Sequence, residues 1–195
     1  MIQIGLTGGI GSGKSTVAQL LRIMGYPVYD SDLRSKQLCE EHPDLRKQLI
    51  QCLGPELFTN NRLDRAYMAQ QIFRDNTLLK QVNALIHPVV FHDYLAWTAL
   101  HDTCEWVFQE TAILFEAGLQ DRYDAILLVV APEQLRIQRV CARSGMSPEQ
   151  VMQRIQNQWP VQQCVEQSDF VLINDDIQAI IPQVMDLLSQ IKQIE

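Results

Sequence analysis

A glycine-rich stretch near the N-terminus carries the residue types best suited to chemistry. Gly8, Gly13, Lys14 and Ser15 fit the spacing G-x-x-x-x-G-K-[ST] within the segment GLTGGIGSGKST. Glycines let a backbone wrap a phosphate with its N–H groups pointing inward, and the start of a following helix adds partial positive charge. The lysine of this pattern reaches the β- and γ-phosphates, and the serine hydroxyl is a ligand of Mg²⁺. The pattern therefore predicts binding of a magnesium nucleoside triphosphate.

The elements around this loop must be a strand before it and a helix after it. Residues 2–6 are typical of a short buried strand, and from Ser15 apolar residues recur at helical spacing until Gly25. That context favours a phosphate loop over a flexible surface turn, which is the alternative.

Further strand patterns predict the rest of the fold. They lie in YPVYDSD after the first helix and at residues 106–109, 126–130 and 170–173, with helical patterns between them and a last amphipathic helix at about 177–191. Strands that alternate with helices predict an α/β fold with a doubly wound, parallel five-stranded sheet.

The chain divides into three kinds of segment within a single predicted domain. The sheet-forming core covers about 1–31, 104–132 and 160–195. Residues from about 32 to 103 have few β-branched runs and mostly helical periodicity, interrupted at Pro43, Gly54 and Pro88, and predict a helical substrate-binding insertion. Residues 133–159 predict a helical lid, in which SGMSPEQ supplies the Gly and Pro expected between two helices.

Composition limits the function classes. The 195 residues carry a formal net charge of −7, which disfavours a general nucleic-acid binder. The longest apolar run, at 125–131, is too short to span a bilayer, and the N-terminus does not resemble a targeting segment. The five scattered cysteines include no Cys-x-x-Cys pair and predict reduced thiols. We expect a cytoplasmic protein without nucleic-acid or membrane partners; its oligomeric state is open.

Two acids follow the predicted second strand. In a doubly wound sheet the carboxyl ends of the strands line the ligand crevice, so Asp30 or Asp32 could accept the proton of an attacking hydroxyl. The alternative is that Asp30 or Ser31 only caps the helix that begins near Leu33. Of the two acids, Asp32 is the preferred base.

Other charged residues could serve the phosphates. Glu110 ends its predicted strand and could hold Mg²⁺ through water, unless it is a plain solvated strand end. Arg136, Arg139 and Arg143 share one face of a predicted helix. They suit a lid that closes on a triphosphate and neutralises transition-state charge, although a solvated helix face is the alternative.

The phosphate loop does not itself select the acceptor of the phosphoryl group. A switch GTPase needs Asp-x-x-Gly and Asn-Lys-x-Asp, and neither string occurs. This favours a kinase for a small-molecule hydroxyl. A nucleoside monophosphate kinase and a nucleotide-gated binding protein stay open as alternatives.

Several motifs together resemble bacterial dephospho-CoA kinases over essentially the whole chain. IGLTGGIGSGKST is similar to the family's phosphate loop, and VYDSDLRSKQL to its Asp-Ala-Asp segment. DRAYMAQQIFRD with LIHPVV resembles its CoA-binding insertion. ETAILFEAG resembles the family's strand that usually ends Pro-Leu-Leu-Phe-Glu. QRVCARSGMSPEQVMQRIQNQWP is similar to the family's lid, including an arginine and glutamine pair at Arg154 and Gln158.

The resemblance implies a P-loop fold like that of the nucleoside monophosphate kinases and an activity: transfer of the ATP γ-phosphoryl, with Mg²⁺, to the ribose 3′-hydroxyl of dephospho-CoA. Asp32 would be the base, and Lys14, Arg139 and Arg143 would hold phosphates. Substrate-side positions besides Asp32 would be Arg65, His87, Pro88 and Glu110. The ATP-binding positions would be Gly9, Ile10, Gly11, Ser12, Gly13, Lys14, Ser15, Thr16 and Asn174.

This sequence departs from the family pattern at several of these segments. Ser31 replaces the usual alanine, Ala112 a proline, Ser144 an acid, and Arg136 stands where the family often has glutamine. The last strand ends LINDD instead of the family's Asp-Asn pair followed by a small residue. The alternative for His87 is a helix-end residue bonded to backbone, and Trp97, Trp106 and Trp159 are more typical of packing than of base stacking.

Overall fold

The computed structural model describes residues 1–192, apart from the side chains at positions 73, 74 and 76. The chain forms two compact units. The first consists of Met1–Tyr29 and the chain from His101 onward, and the second is Asp30–Leu100. The predicted insertion, about 32–103, overlaps the second unit.

The described residues contain seven strands and nine α-helices. The strands are β1 (Ile2–Thr7), β2 (Val28–Asp30), β3 (Phe58–Thr59), β4 (Arg62–Leu63), β5 (Trp106–Glu110), β6 (Ala125–Val130) and β7 (Phe170–Ile173). The helices are α1 (Lys14–Ile23), α2 (Ser31–Glu41), α3 (Pro43–Leu53), α4 (Arg65–Arg74), α5 (Asn76–Ala99), α6 (Glu133–Ser144), α7 (Pro148–Gln156), α8 (Val161–Glu166) and α9 (Ile180–Ile191).

The predicted five-stranded α/β sheet is confirmed. Its strand order is β2-β5-β1-β6-β7, and β1 pairs in parallel with both β5 and β6, as β6 does with β7. Parallel strands covered on both faces consist of near-continuous apolar runs, and AILLVV in β6 is such a run. β1 is the central strand of the five, so the phosphate loop that follows it lies in the middle of the sheet edge where the parallel strands end.

Two apolar clusters hold the sheet in place. One packs α1 and α9 against the strands, and its fully buried members include Ile4, Val17, Phe108 and Val184. The other packs Phe115 and Leu128 with residues around α8. The last helix begins at Ile180, three residues later than the predicted position, while its C-terminal bound agrees with Ile191.

The lid segment forms the helical hairpin α6–α7. Gly145 ends α6 with φ +68°, a left-handed conformation that glycine adopts at little cost. Ser147 and Gln150 then form a capping box at the start of α7, with Pro148 in its first turn. The predicted break at SGMSPEQ is confirmed, because glycine and proline terminate and start helices in these two ways.

The second unit consists of helices α2–α5 and a two-stranded hairpin that sequence periodicity did not predict. β3 and β4 have two residues each, too few to show alternation, and Asn60 and Asn61 turn between them with φ +50° and +63°. The interpretation of Pro88 as an interruption was wrong: α5 continues through it. His87 consequently lies within a helix, and its helix-end alternative is also wrong.

Candidate active site

The loop between β1 and α1 has the backbone of an anion-binding turn. Gly11 and Gly13 have φ +78° and +92°, values that favour glycine. Gly13 is the N-cap of α1, and α1 begins at Lys14. The unpaired N–H groups of a helix start and the helix dipole face the loop, so the segment is electropositive before any side chain is counted.

A buried acid joins the loop's lysine and serine. Lys14 Nζ donates to Glu110 Oε1 at 2.8 Å, and Ser15 Oγ donates to the same oxygen at 2.8 Å. Lys14 is 8% exposed and Glu110 only 2%. The sheet produces this arrangement, since Leu6 at the end of β1 is in register with Glu110 at the end of β5. Glu110 is therefore not a solvated strand end.

The second oxygen of this carboxylate is open to a further cation. Glu110 Oε2 is buried and accepts no hydrogen bond, and Arg22 Nη2 lies 3.8 Å from it. Carboxylate and hydroxyl oxygens are ligands that Mg²⁺ prefers, and Mg²⁺ at nucleotide sites takes only one or two protein groups. Glu110 and Ser15 therefore fit Mg²⁺. The described residues include no cluster of three or more acidic, His or Cys side chains that would form an all-protein metal site.

The far side of the loop is held by Arg139 and Asn174. Asn174 Nδ2 donates to Ser12 O at 2.8 Å, and Arg139 Nη2 donates to Asn174 Oδ1 at 3.2 Å. Arg139 also forms an ion pair with Asp176. Asn174 therefore contacts the phosphate loop directly, and Arg139 does so through Nη1, which lies 3.5 Å from both Gly11 O and Ser12 O. Asp176, which the sequence did not indicate, contacts Arg139.

The three arginines of α6 differ in their surroundings. Arg136 is 4% exposed and contacts the loop, and burial lowers the pKa of its guanidinium, although the negative charge of Glu133 opposes this. Arg139 also contacts the loop, whereas Arg143 is exposed and its side chain has no hydrogen bond or ion pair with any of the described residues. The solvated-face alternative is therefore wrong for Arg136.

Arg136 and Gln158 are the loop contacts that the site prediction lacked. Arg136 Nε donates to Ile10 O at 2.9 Å, and Ile10 N donates to Gln158 Oε1 at 2.9 Å. Helical spacing had placed Arg136 on one face with Arg139 and Arg143. No sequence signal could show that this side chain is buried against residue 10.

A cavity of about 270 Å³ borders the loop within the first unit. Its walls include Gly8, Gly9, Phe115, Trp159 and the polar groups of Arg136 and Gln158. Trp159 stacks on Phe115 with ring centroids 5.6 Å apart, so this tryptophan both packs and lines the cavity. Trp106 is a buried core residue stacked on Tyr26.

The remaining predicted positions lie in the second unit. Asp30 caps α2, because its Oδ1 accepts from Leu33 N at 2.8 Å, so the capping alternative holds for this acid. Asp32 lies in the first turn of α2 and is half-buried. Arg65 begins α4, and His87 and Pro88 lie in the middle of α5; all three are exposed.

Comparison with known proteins identifies the family. The family model described as dephospho-CoA kinase matches residues 2–179. The dephospho-CoA kinase of Bacteroides fragilis is 41% identical over 192 residues, covering 98% of this chain and 94% of the relative, and that of Porphyromonas gingivalis is 39% identical, covering 98% and 95%.

Solved structures agree in fold. A crystal structure of a Thermus thermophilus protein has a TM-score of 0.84 and 37% identity, covering 98% of this chain and 96% of that one. A shikimate kinase from Bacteroides thetaiotaomicron, at 14% identity with a TM-score of 0.51 and 98% coverage of both chains, shares the fold alone. With its phosphate loop, buried lysine and carboxylate, and matched sequence, the chain belongs to the dephospho-CoA kinase family, an enzyme family that phosphorylates dephospho-CoA to CoA with ATP.

Proposed function

We propose that the loop at residues 9–16 binds the ATP phosphates during this reaction and that the γ-phosphoryl passes to the ribose 3′-hydroxyl of dephospho-CoA. The observation that carries the proposal is the bonding of Lys14 and Ser15 to one oxygen of the buried Glu110. A lysine, a hydroxyl and a carboxylate converge at a helix start, and these are the groups that phosphoryl transfer requires.

Charge neutralisation is the main task of the donor side. Phosphoryl transfer is largely dissociative, so positioning and electrostatic stabilisation contribute more than covalent chemistry. The backbone N–H groups of the loop and the Lys14 ammonium are the donors to the β- and γ-phosphates. Arg139 stands beside the loop and adds a second cation, and Asn174 supports the loop near the adenine. Arg143, at the exposed end of α6, is proposed to reach the phosphates when the α6–α7 hairpin closes.

Mg²⁺ would be held by Ser15 Oγ and, directly or through water, by Glu110. When bound, it neutralises negative charge on phosphate oxygens. The protein's own contribution is a carboxylate oxygen beside the loop that is shielded from water, because Glu110 Oε2 is buried and accepts no hydrogen bond.

The acceptor side is proposed to be supplied by the second unit. Asp32 follows the end of β2 by two residues, and β2 is the neighbour of β5 in the sheet. As a base, Asp32 accepts the proton of the 3′-hydroxyl as the new P–O bond forms and the bond between the γ-phosphorus and the β,γ-bridging oxygen breaks, so that ADP leaves. Arg65, His87 and Pro88 lie on exposed helix surface and are proposed to bind the acceptor. Glu110 of the first unit is proposed as a further substrate-binding residue.

The setting of the reaction is proposed to be the cytoplasm. All five cysteines are free thiols, as in reducing compartments, where ATP is also supplied. Among the described residues, no helix is both long and apolar enough to cross a bilayer.

The test is ADP release by the purified protein with MgATP and dephospho-CoA, beside reactions with AMP, CMP or no acceptor. We expect release only with dephospho-CoA, with the product identified as CoA by mass and the new phosphate located on the 3′-oxygen by ³¹P NMR. Release with AMP or CMP would indicate a nucleoside monophosphate kinase. Equal release without acceptor would indicate hydrolysis. A phosphate on another oxygen would contradict the assigned position.

A further inference from the structure

One residue of the phosphate loop is held on both sides by hydrogen bonds. The carbonyl oxygen of Ile10 accepts from Arg136 Nε at 2.9 Å, and the N–H of Ile10 donates to Gln158 Oε1 at 2.9 Å. Arg136 Nη2 also donates to Gln158 Oε1 at 3.2 Å. Three residues from α6, from just after α7 and from the loop therefore share one bonded unit.

These bonds orient two peptide planes of the loop. In a trans peptide the C=O of one residue and the N–H of the next point in opposite directions. Holding the Ile10 carbonyl toward Arg136 therefore turns the N–H of Gly11 away from α6. Holding the Ile10 N–H toward Gln158 turns the Gly9 carbonyl the other way, where it accepts from Ser12 N at 3.0 Å.

Side-chain packing joins the loop and the hairpin as well. The Ile10 side chain packs against the cluster formed by Ile137, Val140 and Val151 of α6 and α7. A Cβ added at Gly9 would lie 2.5 Å from Arg136 Nη2, and one at Gly11 would lie 2.5 Å from Arg136 O. The glycines therefore permit an approach between loop and helix that no larger residue allows.

The environment of Arg136 indicates a hydrogen-bonding role. Arg136 as a whole is 4% exposed, and among the described residues no carboxylate lies within 4 Å of its guanidinium. The two acceptors that it contacts are neutral oxygens, Ile10 O and Gln158 Oε1. Burying a cation without a paired anion costs free energy, which the hydrogen bonds to these two oxygens offset in part.

We propose that Arg136 and Gln158 are positioning residues of the phosphoryl transfer. They orient the peptide groups on both sides of Ile10 and so preorganise the loop for the donor nucleotide. Neither residue touches the reacting atoms in this role. The inference rests on the proposal that the loop at residues 9–16 binds ATP.

Isosteric substitutions separate hydrogen bonding from charge and volume. In glutamine, Nε2 is the same number of bonds from Cα as Nε is in arginine, so Arg136→Gln keeps a donor for Ile10 O and removes the charge. Arg136→Met has the same length as Arg136→Gln and removes both the donor and the charge. Gln158→Glu keeps the acceptor for Ile10 N–H, its added charge being offset by Arg136, whereas Gln158→Leu removes the acceptor at similar volume.

The experiment measures the Kd for MgADP by calorimetry, then kcat and the two KM values. We expect Arg136→Met and Gln158→Leu to raise the Kd for MgADP and the KM for ATP at least tenfold, with the KM for dephospho-CoA within threefold of the parent. Arg136→Gln and Gln158→Glu are expected to keep the Kd for MgADP and both KM values within threefold of the parent's. Melting temperatures identify any variant that fails to fold, in which case the pair at the other position decides.

Two results would overturn the inference in different ways. If the parent protein binds no MgADP, the nucleotide assignment of the loop fails and this inference with it. The second result is a parent that binds MgADP, with the same nucleotide affinity in the two Arg136 variants and the same affinity in the two Gln158 variants, whether weakened or not. The hydrogen bonds to Ile10 would then not position the loop, and only this inference would fail.

Discussion

Lys14 Nζ and Glu110 Oε1 lie 2.8 Å apart although the two residues are 96 positions apart in the chain. Both side chains are buried, at 8% and 2% exposure. An ion pair removed from water depends on both partners, because the loss of one leaves an uncompensated charge in a medium of low polarity. The pair therefore contributes to the fold as well as to the site.

Substitutions of this pair separate catalysis from stability. Lys14→Ala is expected to lower kcat by about 10²–10³-fold through lost phosphate stabilisation, and stability by about 3 kcal/mol because the buried Glu110 loses the ammonium group that is bonded to it at 2.8 Å. The double variant Lys14→Ala/Glu110→Gln is expected to regain most of that stability and none of the activity. Urea unfolding and coupled ADP assays measure both. Recovery of activity in the double variant would contradict a role for Lys14.

Ser15 gives a test of the magnesium site. Ser15→Ala removes a hydroxyl ligand, so the free Mg²⁺ needed for half-maximal activity is expected to rise at least tenfold. Ser15→Thr keeps the hydroxyl and is expected to recover most of the parent's Mg²⁺ dependence. Activity is titrated against free Mg²⁺ at fixed ATP. An Mg²⁺ requirement that is the same in the alanine variant and the parent would remove Ser15 from the site.

The two acids after β2 are expected to behave differently. Asp32→Asn should lower kcat by about 10²–10⁴-fold, since the amide cannot accept the hydroxyl proton, with the Kd for MgATP nearly unchanged. Asp30→Asn is the matched control, because asparagine also caps a helix and can accept from Leu33 N. Initial rates and calorimetry distinguish the two. Turnover by Asp32→Asn at the parent's rate would exclude the base assignment.

Gly13 and Gly25 allow a comparison at equal backbone strain. Their φ values are +92° and +91°, so alanine costs on the order of 1–2 kcal/mol at either position. At Gly13 the new Cβ would also lie 1.9 Å from Asn174 Nδ2, whereas at Gly25 nothing lies within 4 Å. We expect Gly13→Ala to lose nucleotide binding and Gly25→Ala to lower only the melting temperature. Comparable nucleotide affinity in the two variants would show that the Asn174 contact is dispensable.

Cys39 predicts a pH dependence of stability. Burial raises the pKa of its thiol to about 11, with Glu40 adding to the effect and Arg65 opposing it. The unfolded chain loses this proton near its ordinary value of 9.0. Between these values the folded state binds more protons, so the thiol's contribution, present below pH 9, is lost as pH rises toward 11.

The corresponding measurement is urea unfolding at pH 8.5, 9.5 and 10.5. The parent's free energy of unfolding is expected to fall over this range, by at most about 2–3 kcal/mol from Cys39. Cys39→Ala is expected to start lower, from lost packing, and to fall less steeply. Equal slopes for the two proteins would show that Cys39 is not the group responsible.

The local sequence determined the phosphate loop and the elements that flank it. The spacing of the glycines and the lysine predicts a phosphate loop followed by a helix. Strand patterns that alternate with helical patterns predict a parallel sheet. The turn between α6 and α7 was also predictable, because Gly145 and Pro148 act on their own backbone. Helix caps and turns of this kind depend on residues that are adjacent in the chain, so the local sequence is sufficient to predict them.

The tertiary structure decided which distant side chains reach the loop. Glu110 meets Lys14 only because β1 and β5 are paired in one register, and Arg136 meets Ile10 only because α6 packs on the loop. It also decided that α5 continues through Pro88, where packing of a 24-residue helix outweighs one missing hydrogen bond. Such contacts depend on strand order and packing, which local periodicity does not encode. The phosphate-binding residue types and spacing of the loop, by contrast, were determined by the sequence alone.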